Sequence, residues 1–231
     1  MRIVINHLTR MQRGFICVAG IRQPDGPHVR PVLARQRLSV DLLERNGGPF
    51  DIANLVDLGQ CQASPNPPEV EDHVFDPAQA HIVNALSGDA FWQQLDGIAQ
   101  DTLNELFGEA LHEQSSGAAV DVGTGNHSLG CLRPSSVALY VNGWGKLRAG
   151  MSDGVFALDL SVTDLRLYEE DNRTVREDLV NDVQQRIESG VPVVVSVGLA
   201  RAFTATGDMQ ARHWLQVNNI HLEDNPSWRL D

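Results

Sequence analysis

CLRPSSVALYVNGWGKLRAGMSDGVFALDLSV, residues 131–162, is the stretch whose reading decides the fold. Cys131 to Val141 is a β-prone run interrupted by Pro134, which has no N–H to give to a ladder. Gly143-Trp144-Gly145 reads as a turn and Lys146 to Met151 as a short strand. Asp153-Gly154 is a hairpin signal leading into the alternating run Val155 to Val162. Further on, Thr174-Val175-Arg176-Glu177 has the pattern of a capping box. Val175, Leu179, Val183 and Ile187 then recur at i+4, with Val180 widening the stripe, and Gly190 and Pro192 end it. The spacing predicts an amphipathic helix. Val193 to Leu199 is too short and too β-branched to be a helix, and Trp214 to Leu222 is a final strand. Three strands, a helix and two strands is the element order of a five-stranded OB barrel.

The first half begins in a similar way. Ile3 to Leu8, Phe15 to Ile21 and His28 to Leu33 read as strands, the last two joined by the turn Gln23-Pro24-Asp25-Gly26-Pro27. Leu42 to Asn46 is a helical turn ended by Gly47-Gly48, and Ile52 to Cys61 is a further strand stopped by Ser64-Pro65-Asn66-Pro67-Pro68. From Asp76 to about Leu111 the pattern becomes helical, with Leu103, Leu106, Phe107 and Leu111 on one face. Ser115 to Ser128, rich in Gly, Ser and Asn, reads as a linker or mobile loop. The expected architecture is mainly β with helical insertions: two OB-like five-stranded barrels. Residues 1–125 form the first domain and 126–231 the second.

Several short motifs support the same reading. Gly14-Phe15-Ile16-Cys17-Val18-Ala19-Gly20, then His28-Val29-Arg30-Pro31-Val32, then Glu71-Asp72-His73-Val74-Phe75-Asp76-Pro77 resemble the bacterial dual OB-fold domain proteins. So do Val162-Thr163-Asp164 within Leu158 to Leu165, and Val195-Ser196-Val197-Gly198. Two departures stand out. His28 occupies a position where the family usually has Trp, and Leu199-Ala200-Arg201-Ala202 replaces an acidic-proline pair. The resemblance implies two OB barrels and no specific activity.

Charge is unevenly spread. Residues 1–45 hold eight arginines against three acids, a net of +5. Residues 46–132 contain thirteen acids and no Lys or Arg, a net of −13, and the remainder brings the chain to −12. Such a surface repels nucleic acid nearly everywhere except at the N-terminal segment. No run approaches the ~20 apolar residues of a membrane span, and no signal-peptide pattern opens the chain, so a cytoplasmic protein with no membrane partner is expected. Cys17, Cys61 and Cys131 show no CxxC spacing and read as buried apolar residues in a reducing compartment.

Strands two and three form the usual oligonucleotide face of an OB barrel. Arg13, Phe15, Arg22, His28, Arg30 and Arg35 lie in or beside those strands of the first barrel, and Trp144, Lys146 and Arg148 form a smaller set in the second. An aromatic ring flanked by guanidiniums suits base stacking and phosphate pairing. Equally, the arginines could neutralise the acids of 46–132 inside the fold. Glu69, Glu71, Asp72, His73 and Asp76 read as a solvated acidic turn, and Gly123 to Ser128 lacks the ending of a phosphate loop. No nucleophile elbow, HExxH or zinc spacing occurs, so neither catalysis nor a cofactor or metal is expected. The expectation is a non-catalytic OB protein engaging single-stranded DNA, RNA or another anionic ligand. The alternatives are a subunit of a larger assembly, such as one processing nucleic acid or serving defence, docked through the acidic region, and a barrel for a nucleotide-like small molecule.

Overall fold

The computed structural model describes residues 1–24, 26–114, 117–205 and 207–228. β1 (Arg2–Arg10), β2 (Phe15–Arg22) and β3 (His28–Val32) form an antiparallel meander, and β4 (Leu38–Ser39) pairs with the start of β2. β5 (Asn54–Asp57) and β6 (Cys61–Ala63) are two halves of what the sequence presents as one strand, parted by Gly59 in the left-handed region. β5 pairs with β1, while β6 pairs with β7 (Asp72–Phe75), which runs parallel to β3. The ring β1–β2–β3–β7–β6/β5–β1 therefore closes through the chain itself.

β8 (His81–Ala85) then extends β5 outward and is exposed at every residue. It replaces the first turns of the long helix expected from Asp76 onward. Helix forms only in α1 (Gly88–Ile98), capped by Ser87, and α2 (Leu103–Phe107), whose Thr102 and Glu105 make a reciprocal capping box. α1 buries Phe91 and Leu95 in the core of the first barrel, whereas Leu103 and Phe107 of α2 belong to the core of the second.

β9 (Leu111–Gln114) and β10 (Gly117–Asp121) form an antiparallel pair where the composition suggested a linker. Ala118, Ala119 and Val120 are fully buried. Ser115 and Ser116, within that expected linker, lie outside the described residues. β11 (Leu129–Leu132) and β12 (Ser136–Val141) flank the break at Pro134. β13 (Leu147–Ser152), β14 (Ala157–Ser161), α3 (Glu177–Glu188), β15 (Val193–Leu199) and β16 (Arg212–Leu222) follow as expected. The capping box before α3 does not form: Arg176 occupies the N-cap position, and Thr174 donates its hydroxyl to Asp171 instead.

β12–β13–β14 is a meander, β11–β15–β16 a second one, and the bridge Val162–Val217 joins β14 to β16 in parallel. This is the circuit of the first barrel repeated. β10 pairs with the start of β16, so the second sheet takes strands from residues 111–121, ahead of position 125.

β1 is the seam between the barrels. Ile3 to Thr9 are all buried, one face in the barrel's own core and the other against the second barrel. The Leu8 N–H donates to Asn219 Oδ1 at 2.7 Å, the Arg10 N–H to the Thr163 carbonyl at 2.9 Å, and Ser196 Oγ to the Asn6 carbonyl at 3.0 Å. Register shifts make Asn6 the extra residue of a bulge in β1 and Asn218 that of a bulge in β16. Two motif glycines permit this packing: a Cβ on Gly20 would meet the Val4 carbonyl oxygen at 2.5 Å, and one on Gly198 would collide with the Asn218 amide. Asp164 of the Val-Thr-Asp motif is likewise structural. It is fully buried, pairs with the fully buried Arg166 at 2.7 Å, and accepts from the Ile220 N–H.

Candidate functional site

A cleft of about 580 Å³ opens where β2, β3 and the β1–β2 turn of the first barrel face the β15–β16 loop of the second. Thr9 to Gln12, Ile16, Cys17, Arg30 to Leu33 and Gln36 to Leu38 supply one wall; Leu199 to Arg201, Phe203, Gln216 and Asn218 supply the other. Among the described residues its lining includes four arginines, Arg10, Arg30, Arg37 and Arg201, and no Asp or Glu. In a chain of net charge −12, that is a local reversal of sign.

The four arginines are held differently. Arg30, only 3% exposed, donates through Nε to Asp72 Oδ1 at 2.5 Å, its direct partner in the parallel β3–β7 register. Arg201 completes the cluster from the other barrel, reaching Glu69 at 2.5 Å and Asp72 at 2.7 Å. The Arg-Pro-Val and Glu-Asp motifs thus meet across one strand pair, and Glu71 accepts from Ser128 N and Oγ, both at 2.7 Å. Glu69, Glu71 and Asp72 are buried in this brace rather than forming the solvated acidic turn expected. Arg10 lies over the Tyr168 ring at 4.0 Å and donates to the Asn172 carbonyl; Arg37 is exposed above Phe15, 5.8 Å from the ring centre. Neither Arg10 nor Arg37 has a carboxylate partner among the described residues.

At the cleft floor, burial pushes the Cys17 thiol above its usual range, although Arg30 and Arg201 pull it down. It is held as a neutral thiol, a poor nucleophile.

The residues expected to bind separate into three places. Arg13, in a left-handed conformation at φ 64°, and Arg35 are exposed on the loops beside the cleft, and Phe15 is half-buried at the start of β2 under Arg37. Arg30 lines the cleft, but its charge is spent on Asp72. Arg22 and His28 face a second cavity, also about 580 Å³, shared with Glu71, His73, His127 and Cys131. Trp144 (85% exposed) and Lys146 stand at the tip of the β12–β13 turn, away from both cavities. Arg148, nearby on β13, is tied to Asp159 at 3.1 Å and Ser161 at 2.7 Å.

Arg10, Arg37 and Phe203 were not singled out by sequence, and Arg201 stood out only as part of the departure Leu199-Ala200-Arg201-Ala202. Arg10 and Arg37 belong to the arginine-dense segment, but nothing local marks them as facing the cleft. Arg201 and Phe203 arrive from a loop far along the chain.

Two five-stranded barrels, joined along one strand and sharing an arginine-lined cleft, define a double OB-fold protein. The dual OB-containing domain family matches residues 1–220, and the chain belongs to that family. No curated protein and no solved structure matches the chain.

Proposed function

We propose that this is a non-catalytic OB-fold protein that takes a short single-stranded nucleic acid in the cleft between its barrels. The observation that carries this reading is the cleft's lining: among the described residues, four arginines and no carboxylate, on the β2–β3 side that OB barrels use for oligonucleotides. Arg10 and Arg37 supply positive charge not already spent on carboxylates of the fold. The half-exposed Phe203 supplies a ring face for a base, with Phe15 beside the cleft under Arg37, and Gln36, Gln216 and Asn218 supply donors and acceptors. The volume suits one or two nucleotides at a time.

Fluorescence anisotropy with labelled ten-nucleotide DNA and RNA at low salt tests this, with mononucleotides as competitors. Saturable binding should weaken at least tenfold in Arg10→Ala/Arg37→Ala. The salt slope should fall by about 0.7 for each phosphate no longer neutralised. Absence of saturable binding, or affinity unchanged in the double variant, would overturn the reading. Mononucleotide competition as strong as that of the oligomer would place the protein among small-nucleotide binders instead.

A second reading rests on β8. It ends its sheet within the acidic 46–132 segment, is exposed throughout and carries Ile82 and Val83 outward, an open edge for a partner's strand. Ile82→Lys/Val83→Lys should abolish co-purification of a stoichiometric partner if this edge is used; retention of the partner would exclude it.

A further inference from the structure

The seam between the barrels gathers three side chains that no spacing rule connects: His7 on β1, His28 on β3 and Cys131 on β11. Their ligand atoms lie within 4.8 Å of one another, with His28 Nε2 4.0 Å from Cys131 Sγ. We propose that His7, His28 and Cys131 form a Zn²⁺ site that ties the two barrels together.

Four observations support it. First, the donor set is two imidazoles and one thiol, which suits zinc, and a fourth position remains for oxygen. Second, the cluster is poorly satisfied without an ion: His7 Nε2 and Asn6 Oδ1 are buried with no hydrogen-bond partner among the described residues. Third, the Asn6 amide reaches into the triangle, its Nδ2 3.0 Å from His28 Nε2, 3.2 Å from Cys131 Sγ and 3.4 Å from Ser196 Oγ. It fills the place of a cation and would either withdraw or, turned over, offer Oδ1 as the fourth ligand. Fourth, both bulges of the seam converge here. Asn6 is one bulge residue, and Asn218, the other, sets its amide nitrogen 3.0 Å from His7 Nδ1; turned over, its Oδ1 would accept the Nδ1–H as an outer-shell partner and leave the Nε2 lone pair for the ion.

Zinc ligand bonds of about 2.0–2.3 Å require the three side chains to close in by about 1 Å. On binding, the Cys131 S–H bond breaks, its proton passes to water and the thiolate binds the ion. The second cavity, lined by His28 and Cys131 and opened to solvent beside the exposed His127, offers the entry path.

The test uses the full chain, freed of metal by a chelator and titrated with Co²⁺, then with Zn²⁺ against a chromophoric competitor. One equivalent of Co²⁺ should give a thiolate-to-cobalt charge-transfer band that is absent from Cys131→Ser. His7→Gln and His28→Gln should each lower zinc affinity at least tenfold, while His73→Gln, in the same cavity but outside the triangle, should leave it unchanged. Circular dichroism identifies variants that have lost the fold, and the histidine variants carry the test if Cys131→Ser is among them. No charge-transfer band in the wild type, a band that survives in folded Cys131→Ser, or zinc affinity equal in every folded variant would overturn the site.

Discussion

Arg30 and Arg37 lie seven positions apart in an arginine-dense segment and do opposite work. Arg30 is buried in an ion-paired brace with Asp72, Glu69 and Arg201; Arg37 stands exposed at the cleft above Phe15. Removing one member of a buried pair leaves the other's desolvation uncompensated, whereas an exposed side chain contributes little to stability. Arg30→Ala should therefore cost about 3 kcal/mol in urea unfolding, Arg201 keeping the loss at the low end of the range for buried pairs. Arg37→Ala should stay within about 0.5 kcal/mol while weakening ligand binding. The charge split legible in the sequence locates the basic segment. It does not sort its arginines, because the acids that claim Arg30 come from another strand and Arg201 from another barrel.

At the scale of an element, β10 is the sharpest case. Gly, Ser and Asn around it resemble a linker, and its own apolar content is only Ala118, Ala119 and Val120. Pairing with Trp214 and His213 of β16, far along the chain, makes it a strand. Val120 is 1% exposed and packs in the second core; Val122, just past the strand, is 57% exposed. Val120→Ala should thus cost about 2 kcal/mol and Val122→Ala less than about 0.5 kcal/mol, read from denaturant midpoints. Equal, negligible effects would mean that 117–121 behaves as a loop after all. Elements that carry their own periodicity or β-branched run, such as α3 and β15, were legible locally. Those defined by a distant partner, β8 to β10 and the split of β5 from β6, were not. The cleft belongs to the second kind, since its walls come from both barrels.

At the scale of the molecule, the question is whether two barrels make two folding units. β10 sits in the second sheet, Glu71 of the first barrel caps Ser128, Asn219 of the second holds both the N–H and the carbonyl of Leu8, and Leu165 and Val194 pack into the first core. Neither barrel can open without stranding buried polar groups of the other, so the chain should unfold in one transition, with calorimetric and van't Hoff enthalpies equal. Two resolved transitions would refute this. The seam also predicts an acid response. His221 is fully buried there, between Ser196 Oγ and the Pro226 carbonyl, and burial, followed by the charge of Arg166, lowers its pKa from 6.5 to about 4. The unfolded chain then binds the proton more readily than the folded one. Its contribution is complete above pH 6.5 and is lost as the pH falls toward 4, by up to about 3 kcal/mol. In urea titrations between pH 7 and 4.5, His221→Gln should flatten this fall while keeping the transition single. If the fall were just as steep in the variant, the acid sensitivity would have to come from groups other than His221.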